Sequence, residues 1–147
     1  MKAADVMTTG AATVRPDAPV TEAARIMLEH RISGLPVVDS SGKLVGIITE
    51  RDFLRRGDGT SNQLTAVLGS GPSAKAALEE LRSRRVEELM TKDPLTINVD
   101  TPVNEIAEIM ERENIKRLPV VAKGAIVGIV SRANLLLALV RRAERDL

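Results

Sequence analysis

Laying Met7 over Met90 superimposes one half of the chain on the other. Met7-Thr8 matches Met90-Thr91, Thr13-Val14 matches Thr96-Ile97, Pro19-Val20 matches Pro102-Val103, and Glu22 matches Glu105. Ile26-Met27 falls on Ile109-Met110, and Leu35-Pro36-Val37-Val38 on Leu118-Pro119-Val120-Val121. One residue is lost near Ser41, after which Val45-Gly46-Ile47 meets Val127-Gly128-Ile129. A unit of about fifty residues that occurs twice is one whose copies cannot each bury an apolar face alone. The 147 residues therefore suit two small, interdependent halves.

Each copy reads as β-α-β-β-α, an α/β (α+β) pattern. A short strand is expected over Ala12 to Val14, and again over Leu95 to Ile97. The first helix starts after Asp17-Ala18-Pro19 in one copy and Asp100-Thr101-Pro102 in the other, with Pro in the first turn and Thr101 as a cap. Val103, Ile106, Ala107 and Met110 share one face at i, i+3, i+4 and i+7, as do Val20, Ala23, Ala24 and Met27. Apolar runs then predict two strands, Leu35 to Val38 and Leu44 to Ile48, turning at Asp39-Ser40-Ser41-Gly42; the second copy turns at Lys123-Gly124. A closing helix begins near Thr49 or Ser131. The expected boundaries are repeat 1 over 1–56, a linker with a helix over 57–85, and repeat 2 over 86–147. Gly57 to Asn62 reads as a linker, followed by a helix over Ser73 to Arg85. The last helix carries Leu135-Leu136-Leu137-Ala138-Leu139-Val140, apolar around most of its circumference. A second copy of the chain is the simplest cover for it.

Composition removes several classes of chemistry. There is no cysteine, so disulfides, thiolate metal sites and a cysteine nucleophile are excluded. His30 is the single histidine, which leaves no histidine triad and no multi-histidine metal site in one chain. Twenty-one basic residues face 20 acidic ones, a balance that does not suit a dedicated nucleic-acid or membrane-surface binder. Met1 to Asp5 lacks a signal-peptide apolar core and no run is long enough to span a bilayer, so the cytoplasm is the expected location. With Phe53 as the only aromatic residue, a flat ligand would lie between aliphatic side chains.

Gly46-Ile47-Ile48-Thr49-Glu50-Arg51-Asp52 carries a strand straight into a helix, and Gly128-Ile129-Val130-Ser131-Arg132-Ala133-Asn134 repeats the move. A hydroxyl at the strand end and a polar residue one turn later lie on one lip of a sheet, beside the free N–H groups of a helix start. That suits an anionic, hydroxyl-bearing ligand such as a nucleotide. Thr49-x-x-Asp52 is equally a helix-capping pattern, which needs no ligand.

The combination of Met-Thr, Pro-Val-x-Glu, Leu-Pro-Val-Val and Val-Gly-Ile-x-[Thr/Ser]-x-x-[Asp/Asn], present twice, resembles the CBS (cystathionine beta-synthase) domain pair, or Bateman module. The resemblance runs from Val6 to about Leu139 outside the linker. It implies tandem repeats packed about a pseudo-two-fold axis, with clefts between them that bind AMP, ADP, ATP or S-adenosylmethionine, with or without Mg²⁺. It implies no required cofactor, no catalysis, a homodimer, and regulation of an unidentified effector protein in trans. In that family Asp52 matches the carboxylate that accepts from both ribose hydroxyls, and Thr49 the hydroxyl at phosphate or ribose; Ser131 and Asn134 are their counterparts. Thr13, Val14, Thr96 and Ile97 match the segments beside the adenine. Gly34, Leu35 and Pro36, and Arg117, Leu118 and Pro119, match the start of the strand that lines the cleft.

The two sites differ chemically. A carboxylate accepts two hydroxyls at once, whereas an amide offers one acceptor and one donor group, so the Asp52 site should hold ribose better. On the phosphate side, the Lys123-Gly124 turn places Arg117 across from about Val130, so Lys116 and Arg117 can neutralise phosphates near Ser131. Repeat 1 has the uncharged Ser33-Gly34 there. The competing reading is a homodimeric interaction scaffold with vestigial ligand sites.

Overall fold

The computed structural model describes residues 1–54 and 63–145; the expected linker residues 57–62 lie outside that range. The chain falls into two compact units. One comprises Ala12–Ser41 and Val45–Pro94 and holds the body of repeat 1; the other comprises Met1–Ala11, Gly42–Leu44 and Leu95–Leu147 and holds the body of repeat 2.

In the repeat-1 unit, helix α2 (Val20–His30) leads to strands β1 (Gly34–Val38) and β2 (Leu44–Thr49), and β2 runs directly into α3 (Glu50–Leu54). Helices α4 (Gln63–Val67), α5 (Gly71–Ser83) and α6 (Val86–Leu89) and the short strand β3 (Thr91–Lys92) follow. The sheet order is β1-β2-β3, with β3 antiparallel to β2 through Gly46↔Lys92 and Ile47↔Thr91. The core gathers Val14, Val20, Ala23, Met27, Leu35, Val37, Ile48, Val86 and Leu89. Val20, Ala23 and Met27 are the inward face that the helical spacing predicts.

In the repeat-2 unit, α1 (Ala3–Val6) accompanies α7 (Val103–Glu113), β4 (Arg117–Ala122), β5 (Ala125–Ser131) and α8 (Arg132–Arg145). β4 and β5 form an antiparallel hairpin from Arg117↔Ser131 to Ala122↔Ala125, with a bulge at Val120/Val121. Ala3, Val6, Ile97, Ile106, Met110, Leu118, Val120, Val130 and Ala138 form its core.

Each unit is completed by the segment that precedes the other repeat. Thr8 exchanges backbone bonds with Ile129 (N–H to O, 2.8 and 3.0 Å), and Ala3 donates to the Thr101 carbonyl. Residues 86–92 dock on the repeat-1 hairpin in the matching way, with Val86 donating to Ala18 and Thr91 paired to Ile47. The glycine of each Val-Gly-Ile makes room for this guest. A Cβ at Gly46 would lie 2.5 Å from Met90 Sδ, and one at Gly128 would lie 2.5 Å from Met7 Sδ.

The expected first strands shrink to single parallel bridges, Val14↔Val37 and Ile97↔Val120. Val14 donates to the Pro36 carbonyl and accepts from Val38; Ile97 does the same with Pro119 and Val121. Extension toward Ala12 or Leu95 would need an N–H on Pro36 or Pro119, which proline lacks. Thr101 does not cap α7. Its hydroxyl accepts from the Asn98 N–H (3.1 Å) and donates to Asn98 Oδ1 (3.3 Å), closing the turn ahead of the helix. Backbone conformation repeats as well: Gly10 and Asp93, Arg31 and Asn114, and Gly42 and Gly124 are matched positions, all with positive φ.

Candidate functional site

In the repeat-1 unit, β2 ends at Thr49 and α3 starts at Glu50, so the two candidate polar side chains flank the strand-to-helix junction. The Thr49 N–H donates to Asp52 Oδ2 at 2.7 Å, and Asp52 is buried. This is one half of a capping box, the N3 side chain accepting from the N-cap backbone. The carboxylate is thus held in place by the chain, just beyond the C-terminal end of β2. Gly34, Leu35 and Pro36 are buried at the start of β1, and the Ser33 carbonyl receives the Glu50 N–H at 3.0 Å, which ties that strand to the start of α3.

The repeat-2 unit builds the corresponding lip around an amide. The Ser131 N–H donates to Asn134 Oδ1 at 2.7 Å, and the Ser131 hydroxyl donates to the same oxygen at 3.0 Å. The Asn134 N–H returns to Ser131 Oγ at 3.4 Å. Asn134 Nδ2 donates to the Thr8 hydroxyl at 3.3 Å. Arg117 pairs with Ser131 in the hairpin register, one residue from the expected Val130, and the Lys116 carbonyl accepts the Arg132 N–H at 3.1 Å. Lys116 and Arg117 therefore stand beside the Ser131 lip, where the turn at Lys123-Gly124 was expected to bring them.

The remaining candidates divide by burial. Val14, Leu35, Ile97 and Leu118 are core side chains, and Val14 and Ile97 have both backbone groups engaged in their bridges. They can give a ligand only van der Waals contact at their edges. Pro36 and Pro119 are fully buried. Thr13 is half-buried and Thr96 exposed, so these two are the members of the first-strand segments with polar side chains at the surface. Sequence reasoning did not place Thr8 at a site. The signal was present: Met-Thr precedes each first strand, yet its partner lies in the other repeat. Among the described residues no cluster of three or more His, Cys, Asp or Glu could hold a metal ion, and no helix is long and apolar enough to cross a membrane.

Residues 3–59 and 86–141 match the sequence profile of the CBS domain family. The chain is 35% identical over 135 residues to a chloroplastic CBS domain-containing protein, CBSX1 of Arabidopsis thaliana; the match covers 85% of this chain and 57% of that relative's length. Its fold is similar to CBSX2 in complex with AMP (TM-score 0.77, 26% identity, covering 97% of this chain and 98% of that one). It is likewise similar to the CBS domain pair of protein MJ0100 in complex with 5′-methylthioadenosine and S-adenosyl-L-methionine (TM-score 0.72, 30% identity, covering 97% and 98%).

Proposed function

The chain belongs to the CBS domain family, and from that premise we propose that it is a ligand-sensing regulatory module for adenosine-containing molecules. It is a CBS pair and not an enzyme fold. Relatives with the same fold have been captured with AMP and with S-adenosylmethionine and methylthioadenosine, which supports the ligand class. The observation that carries the reading for this chain is the Asp52 carboxylate, buried and fixed by the Thr49 N–H at a strand-to-helix junction. In this reading Asp52 accepts the ribose hydroxyls and Thr49 meets ribose or phosphate. Thr13 and Val14, with Gly34, Leu35 and Pro36, border the base. Ser131, Asn134, Thr96 and Ile97 are the matching positions beside a ligand in repeat 2, where Lys116 and Arg117 face the phosphates and Leu118 and Pro119 border the base; Mg²⁺ is carried by the phosphates where they are present.

The output passes in trans to an effector protein. A homodimer is the other half of the reading. Leu136, Leu139 and Val140 stand at i, i+3 and i+4 on α8 and are 63%, 64% and 49% exposed, an apolar stripe that a second copy would cover.

The test uses the chain's own optics. With no Trp, Tyr or Cys it absorbs almost nothing near 280 nm, so a band near 260 nm in the purified protein is bound nucleotide. Titration of AMP, ADP, ATP and S-adenosylmethionine must raise the melting temperature, since a ligand of the native state stabilises it. Asp52→Ala should abolish most of the shift. Absence of any shift at millimolar ligand would overturn the reading and leave the interaction scaffold.

A further inference from the structure

We propose that the repeat-2 lip meets its ligand chiefly as a neutral hydrogen-bond donor, because Ser131 and Thr8 lock the Asn134 amide with its carbonyl turned inward, and that it reads a nucleotide almost without regard to the ribose hydroxyls. The inference rests on the adenosine-ligand reading above and assigns the two lips different specificities.

The orientation of the amide follows from the bonds. The Ser131 backbone N–H can only donate, so the Asn134 side-chain atom 2.7 Å from it is the oxygen. That oxygen also takes the Ser131 hydroxyl at 3.0 Å, which occupies both of its acceptor positions. The NH₂ group then points to Thr8 Oγ1 at 3.3 Å. Thr8 accepts there, so its own proton is directed elsewhere. Thr8 cannot drift, since its N–H and C=O are both bonded to Ile129. What this lip offers outward is the second amide proton and the exposed Thr8 hydroxyl, which brings a proton and one remaining neutral lone pair. The amide itself can only donate.

The repeat-1 lip has the opposite sign. Asp52 brings a charged, acceptor-only group with roughly four lone-pair positions, and the Thr49 N–H is one of its partners. A ribose diol offers two hydroxyl protons, which a carboxylate accepts with charge assistance. The repeat-2 lip has no charged acceptor: it gives to a hydroxyl oxygen, or takes one hydroxyl proton on Thr8, through neutral bonds open to water. Loss of both hydroxyls should therefore weaken binding more than about tenfold at the Asp52 lip and less than about fivefold at the Asn134 lip.

The experiment compares AMP with 2′,3′-dideoxy-AMP by calorimetry on the full chain, using wild type, Asp52→Asn and Asn134→Asp. Asp at 134 keeps the acceptor for Ser131 and lets the Thr8 hydroxyl turn from acceptor to donor, so this variant retains its cap; equal melting temperatures check that. The expected result is one ribose-selective site in wild type, a preference for AMP under about fivefold in Asp52→Asn, and a second selective site, above about tenfold, in Asn134→Asp. In the Asp52→Asn background, Thr8→Val should weaken AMP several-fold and Thr8→Ser should restore it. If AMP binds and Asn134→Asp leaves the repeat-2 site indifferent to the hydroxyls, this inference is overturned alone. If AMP binds none of the proteins, the adenosine-ligand reading falls with it.

Discussion

The repeat-1 and repeat-2 hairpins receive the same guest in the same register, yet they fix the polar group beside it differently. In both, a Met-Thr segment from outside the repeat lies across a Val-Gly-Ile strand, with the methionine sulfur over the glycine and the threonine opposite the isoleucine. Beyond that shared frame, Asp52 receives the Thr49 N–H, whereas Asn134 is engaged by the Ser131 N–H, the Ser131 hydroxyl and Thr8. Duplication has preserved the scaffold and left the lip chemistry to diverge. The lesson is that one buried carboxylate and one amide with its carbonyl turned inward at equivalent positions need not serve the same part of a ligand.

The shared frame breaks most easily at its glycines. A Cβ at Gly46 would sit 2.9 Å from the Thr91 carbonyl as well as 2.5 Å from Met90 Sδ, so backbone must move. At Gly128 the carbonyl of Thr8 is 3.1 Å away, and the Met7 thioether can swing aside. Gly46→Ala should therefore cost about 2–3 kcal/mol and Gly128→Ala about 1 kcal/mol. In a thermal melt each kcal/mol reads as about 2–4 °C for a chain of this size. Met7→Ala added to Gly128→Ala should recover part of the loss. Equal penalties at the two glycines would mean that the two guests are held with the same slack.

The lips themselves should differ next. The Ser131 hydroxyl both gives to Asn134 Oδ1 and receives the Asn134 N–H, while among the described residues the Thr49 hydroxyl shares no such pair with Asp52. Ser131→Ala should lower stability by about 1 kcal/mol, and Thr49→Ala by about half that or less, as melting temperatures would show. A larger loss for Thr49→Ala would reverse the assignment of the tighter cap to repeat 2.

Much of this architecture could be read from the residues, because its main elements are local. The apolar faces of α2 and α7, the hairpins and their turns follow from spacing and from Gly42 and Gly124. The Ser131–Asn134 and Thr49–Asp52 contacts are legible as capping patterns three residues long. What was not legible depends on partners remote in sequence. The first strands were expected as full elements. They are single bridges because Pro36 and Pro119, on the neighbouring strand, have no N–H to offer. Thr8 lies 126 residues from Asn134, and nothing in the pattern around either one announces the other. Thr101 looked like a helix cap, and Asn98 competes for its hydroxyl. Short polar side chains have several possible local partners, and only the folded chain decides among them.

The smallest expected contrast lies at the ends of α2 and α7. Both helices close on a residue in the left-handed region, Arg31 with φ 54° and Asn114 with φ 52°. The backbone N–H at each bonds back to the last turn, to Leu28 and Met27 in one case and to Glu111 and Met110 in the other. This closure favours glycine because a Cβ is strained there, and asparagine tolerates it better than a long side chain does. Arg31 is exposed, so replacing it removes little packing. Arg31→Gly should therefore raise stability by about 0.5–1 kcal/mol, and Asn114→Gly should change it by a few tenths at most. A gain at both positions would say that the strain at Asn114 is not relieved by its side chain. A loss at Arg31 would say that its guanidinium does more for the end of α2 than its exposure suggests.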